Sequence, residues 1–274
     1  MAWTASVGRS HFPYRAGVVF RDAASLREGL RSVAERDGTP EEQEPRAASG
    51  VAFVYTGEGS QQVGMGEELY GHEPVFRAAL DRCDAALREV RGASLLDVMF
   101  GRPGAAGDLD DPAWTQPAIY ALECALTALW SSVGVRPDAV MGHGPGEISA
   151  SQAAGVFSLE DGLRAAARRG ELMASGVPDG LERALDGIVV ATPSIPLVSS
   201  LTEEPGIDLV VELDLNHGFV EAVAGAYEAG LPLSFPGLFA GESRRRVTLP
   251  GYPFQRRRHW IEPLERLIPG SGGC

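Results

Sequence analysis

The chain has 274 residues, 44% of them hydrophobic and 22% charged, enough for a sizeable core in one large domain or one domain with satellites. A formal net charge of −13 argues against nucleic acid or an anionic membrane surface as partner. No apolar run approaches the ~18 residues of a membrane span, and MAWTASVGRSHFPYR lacks the pattern of a secretory signal, so a cytoplasmic protein is expected.

In chain order, YRAGVVF (14–20) reads as a strand. Asp22 then caps a helix, DAASLREGLRSVAER, with Leu26, Leu30 and Val33 on one face. DGTPEEQEPRAASG is acidic, proline-containing and aperiodic, a loop that sets off the first 48 residues as a small α/β appendage. VAFVY (51–55) is the continuous apolar run of a central parallel strand. A glycine turn follows, then a long helical stretch with an irregularity at Glu73–Pro74. QPAIYALECALTALWSSVG (116–134) is apolar on most faces and predicts a buried helix. RPDAVMGH is a strand, and PGEISASQAAGVF a helix with Pro145 in its first turn. SLEDGLRAAARRGELMAS is a helix capped by Ser158, with Glu160 and Asp161 in the first turn. Beyond Met173 come a short helix (GLERALDG), two strands (PSIPLVSS, GIDLVVEL), a helix (GFVEAVAGAYEAG) and an arginine- and aromatic-rich tail.

Strands alternating with helices imply a parallel α/β core. The cysteines suggest no disulfide framework: Cys83 and Cys124 fall in helical patterns, Cys274 ends a Gly/Ser tail, and no metal-binding spacing is present. All 24 basic residues are arginine, which excludes lysine-based chemistry. VMGHGPGEISA (140–150) has the strand–turn–helix layout that lifts a reactive side chain into a cleft. Its crest is Gly144, which has no side chain.

TGEGSQQVGMG, TQPAIYALECALTALW, VRPDAVMGHGPGEISASQAAGVFSLEDGLRAAARRGELM and LPGYPFQRRRHW resemble, in that order, the acyltransferase domain of modular polyketide synthases. Residues 1–48 resemble the linker that precedes the domain after a ketosynthase, residues 49–240 its core, and residues 241–274 the linker on its C-terminal side. The resemblance implies a three-layer parallel-sheet core and, in an intact member, transfer of a malonyl-type unit from coenzyme A to an acyl carrier protein without a resident cofactor or metal. The family's elbow serine attacks the thioester, a histidine from a later segment is the base, and backbone amides hold the oxyanion. By the same resemblance Arg169 matches an arginine that holds the extender's carboxylate, Gln116 a glutamine lining the site, and His143 and Glu147 the flanks of the elbow.

This chain departs from that pattern. Gly144 stands at the nucleophile position, and Glu58 replaces the glutamine of the oxyanion turn, setting negative charge where the transition state also develops it. From Met173 to Pro193 the numbering advances only 20 residues, whereas the family's ferredoxin-like small subdomain needs roughly 60 at ordinary element and loop lengths. The segment where the family carries its base holds no histidine, and His217, in a loop with different spacing, is not assigned that role. The expectation is a truncated, non-catalytic acyltransferase-like domain. It would be a scaffold between ketosynthase and downstream domains, docking an acyl carrier protein or an acyltransferase supplied in trans. The alternative is altered chemistry, proton transfer such as dehydration or cyclisation by Glu58 and His143. A third reading is a chain shortened by design. Tyr252, Phe254 and Trp260 of the tail are expected to anchor against neighbouring domains.

Overall fold

The computed structural model describes residues 1–35, 48, 50–59, 61–177, 180–200, 206–215 and 218–251. In chain order these form α1 (Ala2–Val7), α2 (Ala23–Ala34), β1 (Val51–Tyr55), α3 (Glu67–His72), α4 (Pro74–Arg91) and α5 (Leu95–Met99). Then come α6 (Pro112–Ser132), β2 (Ala139–Gly142), α7 (Gly146–Ala153), α8 (Leu159–Ala174), α9 (Leu181–Ala184), β3 (Leu209–Glu212) and α10 (Phe219–Glu228). A 3₁₀ turn, Phe235–Phe239, comes last.

The sheet has the order β2-β1-β3, with both pairings parallel. All five residues of β1 are buried, as expected of a strand covered on both faces. Its register with β2 runs from Ala52↔Ala139 to Tyr55↔Gly142. Asp138 locks the start of that ladder: its carboxylate accepts the Val51 N–H at 2.9 Å and its own N–H donates to the Val51 carbonyl at 2.7 Å.

Helix α6 is buried without a break from Trp114 to Leu126 and packs against α4, α7 and α8. Asp111 accepts the Ala113 N–H, and Pro112 occupies the first turn, where a missing N–H costs nothing. Pro117 lies inside the helix and cannot donate to the Ala113 carbonyl. The Arg91 guanidinium donates to that carbonyl at 2.6 Å and also bonds Ala167 O and Glu171, so one side chain mends the gap and ties α4 to α6 and α8. The irregularity expected at Glu73–Pro74 is the break between α3 and α4, with Glu73 extended. Ser158 caps α8, its hydroxyl accepting the Asp161 N–H at 3.0 Å. Cys83 and Cys124 are buried free thiols.

Two expectations are corrected. Residues 14–20 join no ladder, so the N-terminal unit is helical among the described residues. Its partners lie elsewhere: Gly17 N–H donates to the Glu228 carboxylate at 2.8 Å, and the Arg15 guanidinium donates to Leu231 O at 2.7 Å. The strand expected over PSIPLVSS is a single bridge, Leu197 to Val140, because its two prolines cannot supply ladder donors. Between α8 and that bridge the described residues contain only the single turn of α9, with no strand and no room for a ferredoxin-like unit. The described N-terminal segment packs on the C-terminal elements. Trp3 meets Phe239 edge-on at 5.2 Å, and His11 bonds the Tyr227 hydroxyl and stacks on Phe235.

Candidate functional site

Strand β2 delivers the chain to the elbow. The His143 N–H donates to Tyr55 O at 3.1 Å, which extends the β1–β2 ladder by one residue. The chain then reverses tightly, with Gly146 N–H on His143 O at 2.9 Å and Glu147 N–H on Gly144 O at 3.2 Å. Gly144 has φ +56, the left-handed region where a side chain is unfavourable, and a Cβ built on it would meet nothing within 4 Å. The crest is therefore strained for any other residue, yet opens onto free space. Gly146 is the reverse case: a Cβ there would lie 2.3 Å from Tyr55 O, because α7 starts directly against the end of β1.

The turn after β1 carries Glu58. Gly57, at φ +76, lies so close to the elbow that a Cβ on it would sit 2.3 Å from His143 O. The two turns thus meet backbone to backbone, and both Glu58 and His143 are exposed beside the crest. They do not pair. The Glu58 carboxylate accepts from the Gln116 amide nitrogen, and no described residue hydrogen-bonds the His143 ring.

Gln116, fully buried in α6, accepts on its other side from Arg169 Nη1 at 3.3 Å. The structure thus brings Glu58, Gln116 and Arg169 into one chain: carboxylate, neutral amide, guanidinium. Arg169 is 7% exposed, held on the α8 face that packs against α6. Replacing Gln116 by leucine keeps the volume and deletes both bonds. A loss of about 1–2 kcal/mol in unfolding free energy is expected, measured by urea denaturation.

Two residues at this site escape a reading of the sequence. One is Glu123, 1% exposed on α6 beneath the glycine turn, where it accepts the Gly57 N–H at 3.3 Å. Its second oxygen and the Ser149 hydroxyl of α7 are buried with no hydrogen bond among the described residues. Burial pushes the Glu123 carboxyl up to about 7, partly offset by the nearby Ser149 hydroxyl and the Gly57 and Thr56 amides. A lone carboxylate in the otherwise largely apolar run of 117–126 was the available signal. The other is Pro145. On an elbow of this kind, the N–H of the residue after the crest is an oxyanion donor, and proline has none. Among the remaining histidines, His11 is spent on Tyr227 and Ser6 O, and His72 ends α3. His217, the tail residues Tyr252, Phe254 and Trp260, and Cys274 lie outside the described residues.

A model of the acyl transferase domain family matches residues 52–195. The chain is 38% identical over 221 residues to erythronolide synthase EryA3 of Saccharopolyspora erythraea, an alignment covering 75% of this chain and 7% of that protein. It is 44% identical over 168 residues to polyketide synthase GfsE of Streptomyces halstedii, covering 59% of this chain and 4% of that protein. The chain thus spans less than a tenth of these relatives. Among solved structures, the acyltransferase domain from the second module of the salinomycin polyketide synthase superposes with a TM-score of 0.69 at 23% identity. That match covers 86% of this chain and 88% of the other, and at this identity shows a shared α/β fold.

Proposed function

Because this chain belongs to the acyl transferase domain family of modular polyketide synthases, we propose that it is a member which no longer transfers acyl groups and serves its synthase as a structural and docking element. The observation that carries this reading is the crest at 144–145: no hydroxyl to attack a thioester, and no N–H beside it to hold an oxyanion. Three further features support it. The anionic Glu58 stands on the turn that faces the elbow, the Arg169 guanidinium is engaged by Gln116, and no covering subdomain lies between α8 and Leu197 among the described residues.

In this reading residues 49–240 hold the spacing between domains, residues 1–48 join a preceding ketosynthase, and residues 241–274 lead toward the downstream domains. The partners are those domains inside the cell, together with an acyl carrier protein or an acyltransferase supplied in trans. No step of this role calls for a cofactor.

Intact-mass spectrometry tests the reading. After incubation with malonyl- or methylmalonyl-coenzyme A and an acyl carrier protein, the masses of this chain and of the carrier are expected to stay unchanged. A malonyl adduct on either, above a control without this chain, would overturn the proposal. Retention of the ketosynthase or the carrier on immobilised chain is the positive counterpart.

A further inference from the structure

Strand β3 ends the sheet and pairs only with β1 among the described residues. Leu209 donates its N–H to Gly50 O and Leu213 donates to Val54 O, both toward β1. Ladder bonds alternate along a strand, so the main-chain groups of Val210 and Glu212 face away from β1, to an open edge. The side chains alternate as well. Leu209, Val211 and Leu213 turn inward, whereas Asp208, Val210 and Glu212 are exposed, Val210 by 47%.

The edge borders a groove of about 530 Å³. Leu126 and Trp130 of α6 and Phe219 of α10 make its apolar wall, and Trp130 meets Phe219 edge-on at 5.4 Å. Every charged residue of the lining is acidic: Glu212, Asp214 and Glu221. Glu212 and Glu221 are exposed, and neither forms an ion pair with a described residue. The site therefore asks three things of an occupant: unpaired main-chain groups, apolar side chains toward the groove, and positive charge toward the acids. One strand supplies all three when apolar and basic residues alternate in it, because its side chains point to opposite faces with a period of two. A second copy of this chain fails the charge condition, since pairing β3 with β3 would set one acidic stripe against another.

We propose that β3 and its groove dock an extended segment of another protein chain in which apolar and basic residues alternate. The segment joins the three-stranded sheet beside β3, its main chain bonding the outward groups of Val210 and Glu212. Its apolar side chains cover Trp130 and Phe219, and its arginines or lysines pair with Glu212 and Glu221. The four residues of β3 span about 13 Å at roughly 3.3 Å each, so about five residues of the partner cover the edge. Main-chain bonds supply the affinity, and the alternation selects the partner. The groove shares no residue with the crest at 144–145, so the proposal stands or falls independently of acyl transfer.

The test uses the full chain and a synthetic peptide of about eight residues in which valine and arginine alternate. In the chain alone, hydrogen-exchange mass spectrometry is expected to show fast exchange at the amides of Val210 and Glu212. Saturating peptide should slow both at least tenfold. Fluorescence anisotropy then compares two further peptides. One has the same composition with its valines and arginines in separate blocks, and should bind at least fivefold more weakly. The other has every main-chain N–H methylated, and should bind at least tenfold more weakly. Both comparisons are independent of how any variant folds. On the protein, Glu212→Gln combined with Glu221→Gln should weaken the alternating peptide at least fivefold with the circular-dichroism spectrum unchanged. Equal binding of the three peptides would reduce the effect to general attraction of positive charge and overturn the proposal. Exchange that the alternating peptide leaves fast would overturn it too, as would protection already complete in the chain alone. Protection that rises with chain concentration would assign the edge to a second copy and likewise overturn it.

Discussion

Raising the pH from about 4.5 to about 7 is expected to cost the folded chain about 3 kcal/mol of stability through one group, the Glu123 carboxyl. Its ordinary value is 4.5, and burial lifts it to about 7 in the fold. Between these values the folded chain keeps the proton while the unfolded chain has released it. Stability therefore falls as pH rises through this window, and the loss is complete above it. The penalty arises because α6 places the carboxyl between the glycine turn and α7, where Gly57 N–H supplies one bond and the second oxygen has no hydrogen bond among the described residues. Glu123→Gln has nearly the same shape and no charge to bury. Urea unfolding at pH 5, 6, 7 and 8 should show the difference between wild type and variant opening across the window. Parallel profiles would show that Glu123 is not buried as described.

The second large effect separates two glycines of the same elbow. Gly146→Ala should destabilise the chain by about 3 kcal/mol, because the new methyl falls 2.3 Å from Tyr55 O and 2.8 Å from its carbonyl carbon, backbone of the central strand that cannot move aside. Gly144→Ser should cost only about 1 kcal/mol: the space is open and the penalty is that of a left-handed backbone. The restored serine should nevertheless accumulate no acyl group from malonyl-coenzyme A. No described residue hydrogen-bonds the His143 ring or pairs it with an acid, Pro145 offers no oxyanion N–H, and Glu58 brings negative charge to the facing turn. Equal destabilisation by the two substitutions would contradict the crest geometry. Stoichiometric acylation of Gly144→Ser would mean that a single missing hydroxyl was the whole of the defect.

Much of the fold was legible because it is written in consecutive residues. VAFVY announces a strand buried on both faces, Ser158 with Glu160 and Asp161 announces a helix start, and Pro74 breaks the helical stretch where α3 gives way to α4. The empty crest and the 20-residue interval after Met173 need only reading and counting. What stayed hidden depends on residues far apart in the chain. YRAGVVF has the composition of a strand, but its hydrogen bonds go to Glu228 and Leu231, more than 200 residues away, so no ladder forms. Gln116 was a lining residue in the sequence, and packing of α6 against α8 makes it the link between a carboxylate and a guanidinium. Glu123 was one polar letter in an apolar run, and its altered proton affinity comes from surroundings built by the glycine turn and by Ser149 of α7. Local stereochemistry and chain length are properties of neighbours in sequence, and these the sequence by itself determined. Pairing, desolvation and the partner of each polar group are properties of neighbours in space, and only the tertiary structure decided them.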